Sequence, residues 1–135
     1  CRMEIDLRPP IGISTEDLQR KVEEVLATTG LDRQDIGLEW AVCLPSAYSA
    51  PDEEIVQLVV ANAGRITGHR IEVNTSYGST DTLFWWQRGI PAAIYGTGLG
   101  NIAVPDEYIL EPEFGQALKV HAATCVDYLC DQERF

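Results

Sequence analysis

The feature that most constrains the fold is the run at residues 90–95, Ile-Pro-Ala-Ala-Ile-Tyr, which carries no charge and is bounded by Gly89 and Gly96. Such a run reads as a buried strand, with Pro91 near its start, where a proline is tolerated. The sequence around it is sharply punctuated. A polar turn, Gly78-Ser79-Thr80-Asp81, precedes a short helical pattern through Arg88, and Gly89 stops that helix. After the strand come a glycine-rich loop over residues 96–100 and an acidic turn, Pro105-Asp106-Glu107-Tyr108. Polar groups and permissive backbone thus fall at the ends of buried elements, where sites are usually built.

The remaining segments fit an α/β layer structure. Met3, Ile5 and Leu7 alternate with Glu4 and Asp6 as in a half-buried strand, and Pro9-Pro10 ends it. Ser14 with Asp17 resembles a capping box. Leu18, Val22, Val25 and Leu26 then recur at helical spacing, up to a stop at Gly30. Leu38, Trp40, Val42 and Leu44 alternate as a second strand. The first 44 residues therefore read β-α-β, a unit that buries little area and is not expected to be stable alone.

Residues 45–50 form a Pro/Ser/Ala connector and the candidate domain boundary, dividing 1–48 from 49–135. Pro51 and the acids Asp52, Glu53 and Glu54 open a helix whose stripe is Ile55, Leu58, Val59 and Asn62, with Gly64 as its expected end. Ile71 and Val73 mark a short strand. Phe114, Ala117, Leu118, His121, Cys125, Tyr128 and Leu129 share one face of a final helix. The back half reads α-β-α-β-α.

Composition excludes several function classes. With 21 acidic against 10 basic residues the formal net charge is −11, which repels phosphate backbones and anionic membranes. No apolar run approaches membrane-spanning length, and no signal-peptide pattern precedes the first strand. The four cysteines (Cys1, Cys43, Cys125 and Cys130) form no CxxC pair or Cys/His zinc spacing, and a reducing cytoplasm is the simplest reading. Cys1 could be an N-terminal nucleophile, but no base is identifiable beside it. A chain that begins in mid-protein is the simpler expectation, because strand pattern starts at once.

Each polar candidate has a plain structural reading beside a functional one. The glycine loop lacks the lysine of a P-loop and the spacing of a dinucleotide fingerprint, so it reads as a strand exit. A metal site needs several converging ligands, which the sequence around His69 and His121 does not supply, and this argues against one. Asp81, Asp106 and Glu107 taken singly can simply brace turns. Their joint arrangement around the apolar strand is what suggests function.

That arrangement resembles the C-terminal signature of the zinc aminoacylase/carboxypeptidase family, which includes acetylornithine deacetylase, succinyl-diaminopimelate desuccinylase and carboxypeptidase G. The family pattern runs Gly-Gly-Thr-Asp, a helix, Gly-Ile-Pro, an apolar strand to Tyr-Gly, then Ala-His-x-Pro-Asp-Glu-Tyr. Here these stand as Gly78-Ser79-Thr80-Asp81, Gly89-Ile90-Pro91, Tyr95-Gly96 and Ile102-Ala103-Val104-Pro105-Asp106-Glu107-Tyr108. Ile5-Asp6-Leu7-Arg8-Pro9-Pro10 also resembles a strand entering the last part of the family's lid. The resemblance implies that 1–48 is the C-terminal half of a lid and dimerisation domain, and 49–135 the last segment of a catalytic domain. It implies Gly78, Ser79, Thr80, Asp81, Asn101 and Glu107 as substrate-binding positions. It implies zinc in the complete enzyme, with N-acyl amino acids or small peptides as substrates.

Two departures qualify this. The family's histidine before x-Pro-Asp-Glu is a zinc ligand, and here that position is Ala103, whose methyl has no lone pair. Many members carry an arginine where this chain has Leu83. The family's other ligands and its general base lie upstream of the residues present here. The expectation is therefore a fragment or split half of an amidohydrolase, with no catalytic or metal-ligating residue of its own and no zinc bound alone. Its partner would be the missing N-terminal half or a second copy of the chain. The alternatives are a non-catalytic dimerisation module of the same family, or an alanine introduced to trap an active enzyme.

Overall fold

The structure is a computed structural model that describes residues 1–30, 34–75, 78, 80–98 and 102–130. Four α-helices form among them: α1 (Thr15–Thr28), α2 (Glu54–Thr67), α3 (Thr82–Trp86) and α4 (Glu111–Leu129). No strand forms among the described residues, so the α/β architecture expected above is wrong for this chain. The four segments that alternate or run apolar, at 3–7, 38–44, 71–73 and 90–95, pair with nothing in a ladder. A strand is defined by a hydrogen-bonded neighbour, and side-chain periodicity supplies only one condition for it. The chain divides into two units, Cys1–Ala47 and Tyr48–Phe135.

In the first unit, α1 starts as its sequence dictates. Ser14 is extended (φ −73°, ψ 160°), and its Oγ accepts from the Asp17 backbone N–H at 3.0 Å. Gly30 takes φ +72° just past the end of the helix, a conformation that costs glycine little. Arg20 bridges Asp17 at 2.8 Å and Glu24 at 2.9 Å along one exposed face. No residue of α1 is buried. Met3, Ile5 and Val42 are 78%, 65% and 75% exposed, so the apolar faces expected to pack here are open.

The second unit has a small core. Helices α2 and α4 pack together through Val59, Ala63 and Val120, and Ile66, Ile71, Ala93 and Tyr95 lie against that cluster. Gly64 does not end α2, which continues to Thr67. Gly68 at φ +73° closes it, donating its N–H to Gly64 O. This is the left-handed cap motif with its single long-range turn bond. Gly64 instead stands inside the helix, where an added Cβ would lie 3.4 Å from His69 O.

The buried faces are also turned relative to expectation. In α2 they are Val56, Val59, Asn62 and Ala63, with Ile55 and Leu58 half-buried. In α4 they are Ala117, Val120 and Thr124, while Phe114, Leu118 and Leu129 are more than half exposed. Small side chains let two helices approach closely, and here they win the interface over larger apolar neighbours. Asn62 is 2% exposed but well partnered. Its Nδ2 donates to Leu58 O at 3.0 Å and to Asp127 Oδ2 at 2.8 Å, and its Oδ1 accepts from Arg65. That amide ties α2 to α4 through a polar contact.

Helix α3 is shorter than the sequence pattern suggested and starts at Thr82 rather than directly after Ser79 or Thr80. Its end is well built. Gly89 at φ +71° donates to Trp86 O and Ile90 donates to Trp85 O, which is the Schellman arrangement. No helix is long and apolar enough to cross a membrane among the described residues.

Candidate functional site

The rim expected over residues 78–108 is only partly assembled. Gly78 is exposed. Ser79 and Asn101, two of the expected substrate-binding positions, lie outside the described residues. Thr80 is half-buried; its hydroxyl meets that of Thr82, and its carbonyl accepts from the Leu83 N–H at 3.1 Å. Asp81 caps α3 only through its backbone. Its carbonyl accepts from the Phe84 N–H at 3.1 Å, and its exposed side chain makes no cap bond.

The acidic turn has a different construction. Ala103 adopts φ +60° and Asp106 φ +59°, in the left-handed region that non-glycine residues visit rarely. Asp is one of the residues that enters this region most readily; alanine is less suited to it. The Ala103 N–H donates to Glu107 Oε2 at 3.2 Å, so the Glu107 carboxylate braces the turn. Ile102, Val104 and Tyr108 are 53%, 50% and 64% exposed, so these side chains are open rather than enclosed by the described residues. No hydrogen bond or ion pair joins Thr80 or Asp81 to Ala103 or Glu107 among the described residues.

Of the two histidines, His121 makes a side-chain contact between α4 and the apolar run. The exposed His121 ring on α4 reaches Tyr95 O with Nε2 at 3.0 Å. A carbonyl only accepts, so this nitrogen carries the proton. The same ring stands edge-on to the Tyr95 ring at 6.1 Å. His121 thereby braces the segment after Pro91 against α4. The His69 backbone N–H donates to Thr67 Oγ1 at 3.3 Å. No group of three or more His, Cys, Asp or Glu side chains gathers as a metal site among the described residues.

One junction has no counterpart in the sequence reading. Ser49 Oγ donates to Ala92 O at 2.8 Å and accepts from the Ala92 N–H, also at 2.8 Å. The Trp86 indole Nε1–H donates to Ser49 Oγ at 2.8 Å and to Ala92 O at 3.0 Å. One hydroxyl thus joins the connector, α3 and the apolar run. The partners are 37 and 43 residues from Ser49, so no local spacing signals the contact. No protein-family model, curated protein or solved structure matches the chain.

Proposed function

We propose that this chain is the C-terminal part, or a split-off second half, of a zinc-dependent amidohydrolase acting on N-acyl amino acids or small peptides, and that it is inactive by itself. The observation that carries the reading is the ordered series Gly-Ser-Thr-Asp, Gly-Ile-Pro, Tyr-Gly and Pro-Asp-Glu-Tyr between Gly78 and Tyr108, with Ala103 in the ligand position. Metal-assisted amide hydrolysis needs a polarising metal, an activated water and a base. Ala103 offers the metal only a methyl group, and the neighbouring Glu107 carboxylate is engaged with the Ala103 N–H. The residues at this turn therefore do not fit a zinc centre. In the complete enzyme, zinc would be held by an upstream segment. The four free cysteines agree with a cytoplasmic setting.

The test is direct. The purified chain, equilibrated with zinc and freed of excess metal, is expected to retain no stoichiometric zinc and to hydrolyse no N-acetyl amino acid. Stoichiometric zinc together with turnover would reject the proposal.

A second reading, a non-catalytic association module, is favoured by one observation. Met3, Ile5 and Val42 of the first unit are 78%, 65% and 75% exposed, apolar surface of the kind that association covers. A companion, either the missing N-terminal half or a second copy, would cover it. Light scattering that finds a stably folded monomer at micromolar concentration would remove this reading.

A further inference from the structure

The apolar run over 90–95 lies against the α2–α4 core as an extended chain would. Ala93 and Tyr95 pack on that core, while Ile90 and Ile94 are 45% and 51% exposed, the two-residue alternation of a strand. Such a run presents backbone N–H and C=O groups along each edge, a template on which another chain can pair. Here several of those groups are already taken, by side chains or by a turn.

Ala92 shows this most fully. In an antiparallel ladder a hydrogen-bonded residue gives both its N–H and its C=O to one partner residue. Ser49 Oγ does the same with a single atom, accepting from the Ala92 N–H and donating to Ala92 O, each at 2.8 Å. The Trp86 Nε1–H fills the second acceptor position of the hydroxyl at 2.8 Å and adds a second donor to Ala92 O at 3.0 Å. The ladder groups of Ala92 are thereby fully used. On the same edge, the Ile90 N–H donates to Trp85 O at 3.0 Å. On the opposite edge, Pro91 has no N–H to give, and Tyr95 O meets His121 Nε2 at 3.0 Å. Prolines and covered ladder groups are devices by which proteins keep an edge from pairing.

We infer that the Ser49 hydroxyl, backed by Trp86, is an edge guard: it occupies the ladder positions of Ala92 and holds the 90–95 run out of strand pairing with a second copy of itself. The inference concerns the chain by itself and is independent of the amidohydrolase reading.

The experiment compares the full-length chain with Ser49→Ala, which removes only the hydroxyl. Hydrogen exchange at Ala92 and the amide I infrared band of intermolecular β-sheet are read over a concentration series. Helical circular dichroism checks that α2 and α4 persist. The wild type is expected to show one Ala92 exchange rate at every concentration and no β-sheet band. In Ser49→Ala at low concentration that amide should exchange about fivefold faster or more, the effect of one lost hydrogen bond. As concentration rises it should regain protection, together with a β-sheet band. Ser49→Thr keeps the hydroxyl and should follow the wild type. Adding Ile94→Lys to Ser49→Ala puts a charge on the exposed face of the run and should prevent the regained protection. A β-sheet band in the wild type, none in Ser49→Ala at high concentration, or equal pairing with Ile94→Lys present overturns the proposal. One measurement needs no variant. The Ile94 N–H has no backbone acceptor among the described residues, so in the wild type it should exchange about fivefold faster or more than the Ala92 N–H. Equal rates at the two amides also overturn the guard.

Discussion

Helices α1 and α2 are both 14 residues long, yet they are held by different physics. Helix α1 has a side-chain N-cap and a set of ion pairs at i,i+3 and i,i+4, and it buries no residue. Helix α2 has no side-chain N-cap and buries four residues, chiefly against α4. Local devices of the α1 kind contribute tenths of a kcal/mol each for exposed pairs, and about 1 kcal/mol for a cap. Isolated helices of this length are marginal in water. Packing of an apolar face stabilises a helix more, at roughly 25 cal/mol per Å² removed from water. The two units therefore differ in what would have to break for their helices to melt.

The largest expected effect comes from placing a charge in the α2–α4 contact. Val120 is fully buried, so Val120→Asp should cost at least ~3 kcal/mol and abolish the helical circular dichroism of that pair. The same change at Val42, 75% exposed in the first unit, should shift stability by less than ~0.5 kcal/mol. Similar losses at both positions would erase the contrast between the units.

A smaller effect is expected from Asn62→Ala. It removes the amide joining Leu58, Arg65 and Asp127, and leaves the Asp127 carboxylate without that donor. A loss of about 1–3 kcal/mol in the stability of the second unit, read by urea unfolding, would follow. No change would mean that Asn62 contributes register rather than stability.

Ser14→Ala tests the first unit in turn. It deletes the cap on Asp17 N–H and should lower the stability of α1 by about 1 kcal/mol. Hydrogen exchange would show faster opening of α1 with α2 and α4 untouched. An equal acceleration in all three helices would mean that they melt as one unit.

Acid should act weakly and in a defined direction. Arg20, together with Ser14, holds Asp17 below its ordinary 3.8, and Lys21 with Arg20 holds Glu24 below 4.5. Folded values below unfolded ones mean that this stabilisation is fully present above about pH 5. It is lost as pH falls through the lowered folded values. Both groups are fully exposed, so the effect is also screened by salt. A helix-α1 signal that is flat from pH 6 to pH 2 would show that these ion pairs contribute nothing.

Much of the helical content was legible in the sequence because its causes are local. Ser14, Asp17 and Gly30 mark α1 by spacing alone, and Gly89 marks the end of α3 in the same way. Gly64 misled for an instructive reason. A glycine after an apolar stripe signals a stop, but a better placed one stood four residues on, and its left-handed conformation closed α2. The α/β expectation failed at a different level. Alternation at 3–7 and 38–44 describes which side chains would face a core, and no core is present to receive them among the described residues. Ala93 and Tyr95 do reach the core, although their segment pairs with no neighbour in a ladder. Of the expected site, Asp81 and Glu107 brace turns as their residue types suggest, Asp81 through its backbone carbonyl and Glu107 through its carboxylate on the Ala103 N–H.

What the amino-acid sequence alone determined about this protein is therefore the Ser14 cap, the stops at Gly30 and Gly89 and the charged face of α1, together with the chemical incapacity of Ala103 as a ligand. These depend on groups within a few residues of one another, or on a single side chain. The tertiary structure decided the pairing of α2 with α4, the face of α4 that is buried, the Ser49–Trp86–Ala92 junction, and the absence of a ladder among the described residues. Each of those depends on groups tens of residues apart competing for the same space, where small side chains that permit close approach can outweigh larger apolar ones.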